Sequence, residues 1–146
     1  MNFNTRMTVR TLFAVGALAL VGACTNMGSM QMAMKNVALT GANEVPPVTT
    51  TATGTGTVMV HADHTVMAKI TVSGMTATAA HIHTGAAGTN GPVIVPLNKT
   101  SDNVFEAAPG AKLTDAQHEA YKAGNLYLNV HTAANPGGEV RAQLKP

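Results

Sequence analysis

Six histidines stand in a chain of 146 residues that has one cysteine. Three of them are spaced so that they could act together. In Ala80-His81-Ile82-His83 two imidazoles are separated by one residue. In an extended run side chains alternate between faces, so His81 and His83 share the face opposite Ile82, with Cα atoms about 6–7 Å apart. His131 ends the alternating run Leu126, Leu128, Val130 and falls on the opposite face, with Tyr127 and Asn129. If the aliphatic residues face a core, all three imidazoles face outward. If the two strands are neighbours, the imidazoles converge on one surface patch. Neutral imidazole is a good ligand for copper, zinc, iron or nickel. His81, His83 and His131 are therefore the candidate metal ligands, and Tyr127, Asn129 and Glu139 the candidates to surround them. The competing reading is structural: histidines that hydrogen-bond loop carbonyls and brace turns, with no metal. Both readings stay open. His61 and His64 flank a hairpin turn and are expected in solvent, as is His118 on a helix. Met30, Met32 and Met34 form a Met-x-Met-x-Met run, either soft ligands for Cu(I) or an adaptable linker.

Little else in the sequence points to catalysis. There is no nucleophile elbow, no zinc-protease helix motif, and no glycine loop that leads into a helix N-terminus to cradle phosphate. The seven acids, Glu44, Asp63, Asp102, Glu106, Asp115, Glu119 and Glu139, form no evident pair for hydrolysis. The formal net charge is +2 with no Lys/Arg cluster, so a nucleic-acid partner is not expected. Aromatics are 3% and tryptophan is absent, so the core must come from Val, Leu, Ile, Ala and Met.

The elements that position the histidines read as short strands punctuated by Gly, Pro, Thr and Asn. Strands are expected at 37–40, 53–62, 65–73, 80–84 and 93–97. Asp63-His64 makes a tight turn, so the second and third strands form an antiparallel hairpin. A closing hairpin runs from 125–132 through Asn135-Pro136-Gly137-Gly138 to 139–144. One helix interrupts the pattern. Thr114 and Gln117 fit a capping box, Asp115 suits the positive end of the helix dipole, and Gly124 is a natural stop. Leu113 and Tyr121 are placed to pack this helix onto the sheet.

The N-terminus reads as an export segment. Arg6 and Arg10 precede an apolar run, 12–21, that is too short to span a bilayer. It ends in Val21-Gly22-Ala23-Cys24, which resembles the lipobox of bacterial lipoproteins, with Val where Leu is favoured. The resemblance implies a lipid on Cys24, a signal peptide over 1–23, a lipidated tether over 24–36 and one domain over 37–146. The acyl chains would anchor the chain to a membrane. Thr25 lacks the Asp that often retains such proteins at the inner membrane, so the outer membrane facing the periplasm is expected. One cysteine permits no intrachain disulfide.

Three segments together resemble the CHRD domain, named from chordin. They are Leu39-Thr40-Gly41-Ala42-Asn43-Glu44-Val45-Pro46-Pro47; Ala80-His81-Ile82-His83-Thr84-Gly85; and Tyr127-Leu128-Asn129-Val130-His131-Thr132 with Asn135-Pro136-Gly137-Gly138-Glu139-Val140-Arg141-Ala142-Gln143-Leu144. Ala142 stands where the family often has glycine. The resemblance implies an all-β fold, an immunoglobulin-like antiparallel β-sandwich of Greek-key type, here with one short helix. It implies a binding module rather than an enzyme: in chordin the repeats belong to a secreted antagonist of growth factors. The leading expectation is thus a lipid-anchored extracytoplasmic module that binds copper or zinc through surface histidines. Two alternatives accompany it. Val72-Ser73-Gly74-Met75 leading to His81-Ile82-His83 is similar to the copper-ligand strand of copper/zinc superoxide dismutases, which implies a copper-dependent enzyme; a bridging histidine and a zinc aspartate cannot be placed. The other is a structural or adhesive module that recognises a protein partner.

Overall fold

The computed structural model describes Met1 and residues 34–146. The chain divides into two compact units, Met1–Met30 and Gln31–Pro146, and the fold is that of the second. Cys24, the signal segment, Met30 and Met32 lie outside the described residues.

Alternation of apolar and polar residues builds most of the sheet. In β3 (Val66–Ser73) Val66, Ala68, Ile70 and Val72 are buried and every intervening residue is exposed. That pattern is a strand with one face on a core and one in water. Seven more strands join it: β1 (Lys35–Thr40), β2 (Thr53–Val60), β4 (Ala77–Thr84), β5 (Val93–Ser101), β6 (Val104–Ala107), β7 (Leu126–Thr132) and β8 (Val140–Leu144). All pairings are antiparallel. The β5–β6 hairpin extends beyond the expected 93–97 strand; its polar segment Asn98-Lys99-Thr100-Ser101 shows no apolar alternation to announce it.

The sheet closes on itself in the order β1-β2-β3-β6-β5-β4-β7-β8. The expected sandwich is therefore corrected to an eight-stranded barrel. The closing pair is small: β8 meets β1 at Thr40 and Arg141. Apolar alternation is the same in a sandwich and a barrel, so this one seam, 101 residues apart in sequence, decides between them. The Greek-key character is present. β4, β5 and β6 run as consecutive hairpins, with β3 returning beside β6 and β7 beside β4.

The barrel is filled by aliphatic side chains and Phe105. An eight-stranded barrel is narrow enough for side chains to fill, and here aliphatic ones do so. At Gly56 a Cβ would meet the Lys69 carbonyl and lie 2.8 Å from the Ile70 Cα, so β2 approaches β3 there only as glycine. The helix α1 (Asp115–Lys122) has its full capping box: Thr114 Oγ1 accepts from Gln117 N at 3.3 Å and Gln117 Oε1 from Thr114 N at 2.8 Å. Gly124 follows with a φ of +73°, and Leu113 and Tyr121 join the core. Among the described residues no helix is long and apolar enough to cross a membrane.

Candidate metal centre

β7 breaks the alternating rule. Its first five residues, Leu126 to Val130, are all buried. The inward face packs into the barrel. The outward face is roofed by segments that fold back over β4, β7 and β8: the 41–52 connection, the 85–92 loop and the 135–138 turn. Polar residues on the outer face are thereby taken from water, and each must find a partner there.

Arg141 organises this roof. It is 1% exposed, and its guanidinium carbon lies 3.4 Å above the centre of the Tyr127 ring. It donates to Asn90 Oδ1 at 3.1 Å and to the carbonyls of Ala86 and Thr89 at 3.3 and 2.9 Å. Gln143 donates to the Gly85 and Gly124 carbonyls, both at 2.8 Å. Asn90 in turn donates to the Val45 carbonyl at 2.7 Å, tying one roof segment to the other. Arg141 and Gln143 stood in the sequence as ordinary outward residues of the last strand. The hint that they matter is an arginine and a glutamine facing a glycine-rich loop whose carbonyls need donors.

The register of β4 against β7 brings the histidines together. His81 is opposite Asn129, His83 opposite Tyr127, and His131 opposite Ala79. His131 is thus diagonal to His81 on the same face. Nitrogen atoms of His81, His83 and His131 all lie within 4.8 Å of one another. Among the described residues this is the one group of three or more His, Cys, Asp or Glu side chains with such spacing. A bridging histidine and a second-metal aspartate of the dismutase type have no counterpart in it.

Backbone carbonyls set the tautomers. His83 Nδ1 donates to Gly91 O and His131 Nδ1 to Pro136 O, each at 3.0 Å. Both rings then carry a lone pair on Nε2 when neutral. His131 Nε2 accepts from His81 Nδ1 at 2.9 Å. His83 Nε2 is buried and has no hydrogen-bond partner. Burial lowers the pKa of all three rings; His131 and His83 lower that of His81 further, while the Gly91 carbonyl and the Asn129 side chain pull His83, and the Pro136 carbonyl pulls His131, partly back. Neutral imidazole, the form that binds metal, is favoured at each position. The surface patch expected from alternation is corrected in one respect: His83 is 7% exposed, sealed under the 85–92 loop, while His81 and His131 are half-buried.

The surrounding residues act in different ways. Tyr127 stacks on His83 with ring centres 4.7 Å apart and 8° between planes, and its hydroxyl accepts from Gly91 N at 3.1 Å. It fixes both the ring and the loop that supplies the ring's carbonyl partner. Asn129 donates to Gly137 O at 3.2 Å, and its Oδ1 is buried without a partner. Glu139 accepts from Thr132 Oγ1 at 2.9 Å and from Asn135 Nδ2. Hydrogen bonds, first from Thr50, then from Asn135 and Thr132, hold its carboxyl below the usual range. Glu139 thus braces the turn that presents Pro136 O to His131.

Glu44 was not foreseen. It is 4% exposed, and burial raises its pKa to about 7 against the opposing pull of Arg141. The remaining histidines are also engaged. His64 stacks on His118 with centres 4.2 Å apart, and its Nδ1 lies 3.4 Å from Asp115 Oδ1. His61 Nε2 lies 3.4 Å from Met67 Sδ. All three are half-buried rather than free in solvent.

The fold is an antiparallel barrel whose outer face is roofed over a histidine triad. The comparison with known families places it: the CHRD domain model matches residues 36–144, and the chain belongs to that family. No curated protein and no solved structure matches it significantly.

Proposed function

We propose that the protein is a lipid-anchored, extracytoplasmic CHRD module that holds one transition-metal ion, copper in preference to zinc, on His81, His83 and His131. The observation that carries this reading is His83 Nε2. It is a buried lone pair with no partner, aimed by a carbonyl on the ring's other nitrogen, and beside two more neutral imidazoles. A carbonyl on the far nitrogen is the usual way a protein orients a metal-binding histidine. A buried acceptor left unsatisfied costs about 1–3 kcal/mol, and a bound cation would satisfy it.

Copper is favoured by donor type. His81 Nδ1 and His131 Nε2 are 2.9 Å apart. That contact is a hydrogen bond between the rings without metal; the preference for Cu(II) over Zn(II) follows from the order of divalent-metal affinities for nitrogen donors. His81 would offer Nδ1 to the ion and carry its proton on Nε2. Nitrogens around one such ion lie no more than about 4.2 Å apart, so the set contracts by several tenths of an ångström on loading. Anchoring rests on Cys24 and the lipobox-like run before it, and the outer membrane is the proposed site.

The test is metal content with Cu(II) and Zn(II) titration, beside the His81→Ala/His83→Ala/His131→Ala variant. One equivalent of Cu(II), lost in the variant, is expected. Uptake no greater than the variant's rejects the site and leaves a protein-recognition module. Labelled fatty acid incorporated by the wild type and not by Cys24→Ser tests the anchor separately.

A further inference from the structure

The outer face of β2 and β3 carries a feature the histidine triad does not use. Met59 and Met67 stand directly opposite each other in the β2–β3 register. Opposed residues of an antiparallel pair point to the same side, with Cβ atoms about 4.5–5.5 Å apart. That side is the outer one, since Val58, Val66 and Ala68 face the core. Met67 is 57% exposed and Met34 is 59% exposed. Both line, with Met59, a depression of about 520 Å³. His61 follows Met59 by two residues, and its Nε2 lies 3.4 Å from Met67 Sδ.

The three methionines, grouped beside an imidazole, belong neither to the core cluster nor to the side chains packed against it. Nor does β preference place unbranched methionine on an exposed strand face. Thioether sulfur and imidazole nitrogen are together a soft, neutral donor set. The local hard donors are engaged elsewhere. Asp63 accepts from Thr65 N and Oγ1 at 3.0 and 2.9 Å, and Glu106 pairs with Lys69 at 2.9 Å. Ligand distances of about 2.0–2.1 Å to nitrogen and about 2.3 Å to sulfur, at a tetrahedral angle, put the two donors about 3.5–3.6 Å apart. The His61–Met67 spacing of 3.4 Å is within about 0.2 Å of that separation.

We infer that Met59, His61 and Met67, with Met34 beside them, form a second metal site, selective for a soft monovalent ion of the Cu(I) class. It lies on other strands of the barrel than the triad, with β1 and β8 between β2 and β7 on one side and β6 and β5 between β3 and β4 on the other. The two sites differ in donor chemistry, imidazole alone against thioether with imidazole. The protein would therefore take oxidised and reduced copper at separate places.

The experiment uses the full chain with Cys24→Ser, so that no thiol competes, and methionine labelled at the ε-methyl carbon. Ag(I), a redox-inert soft ion, is the probe. One equivalent is expected to shift the Met59 and Met67 methyl resonances. Met67→Leu or His61→Ala is expected to weaken the response read at Met59 at least tenfold, with unchanged thermal unfolding. The His81→Ala/His83→Ala/His131→Ala variant is expected to keep the response, so failure of either site is seen independently. Met59 and Met67 methyls unmoved by stoichiometric Ag(I), movement confined to Met30 and Met32, or full affinity retained in Met67→Leu each overturns the inference.

Discussion

Replacing Glu44 by glutamine isolates one buried proton. The carboxyl sits under Gly138, beside Asn129 and Arg141, and one of its oxygens has no hydrogen-bond partner. Burial raises its pKa from 4.5 to about 7. The folded protein therefore binds this proton more tightly than the unfolded chain does. Stability from this group is fully present below about pH 4.5 and is lost as pH rises through 7. At about 1.4 kcal/mol per pKa unit the whole loss is about 3 kcal/mol. Glutamine stays neutral and loses nothing. Urea unfolding of wild type and Glu44→Gln, from pH 4.5 to 8.5 with a chelator present, measures the difference. The three triad histidines titrate in both proteins and cancel in the subtraction. The wild type is expected to fall by about 3 kcal/mol relative to the variant between pH 4.5 and 8. Two curves that run parallel would refute a carboxyl held neutral under the roof.

Two further outcomes follow from the same layer. In the Glu44→Gln background, the lowered pKa values of His81, His83 and His131 give the opposite slope: stability present above about pH 6.5 is lost on acidification, and His83→Gln should flatten the slope in the same urea titrations. Gly138→Ala should cost about 2–3 kcal/mol by thermal unfolding, because its Cβ would meet the Glu44 carboxylate and lie 2.6 Å from Asn129 Nδ2, at a φ of +143°; a loss below about 1 kcal/mol would show that the roof yields there.

How much was legible depended on the range of the cause. The capping box at Thr114 and Gln117, the stop at Gly124, the tight turn at Asp63-His64 and the alternation in β3 are set by residues a few positions apart. Each appears where local chemistry puts it. The partition of His81, His83 and His131 to one face is equally local, a consequence of period two. The β5–β6 hairpin was obscured because polar residues fill both of its faces over 98–101.

The sequence by itself determined an all-β, Greek-key domain of the CHRD family, and three histidines on the outward faces of two strands. Tertiary structure alone decided that the strands close into a barrel, because the deciding contact joins Thr40 to Arg141 across most of the domain. It also decided that outward does not mean exposed. Alternation tells which residues leave the core, but not which loops return to cover them. The 85–92 loop is drawn down by Arg141, Gln143 and Tyr127, and it turns His83 from a surface imidazole into a buried one with an open lone pair. That burial rests on hydrogen bonds between residues some fifty positions apart, which no local pattern carries.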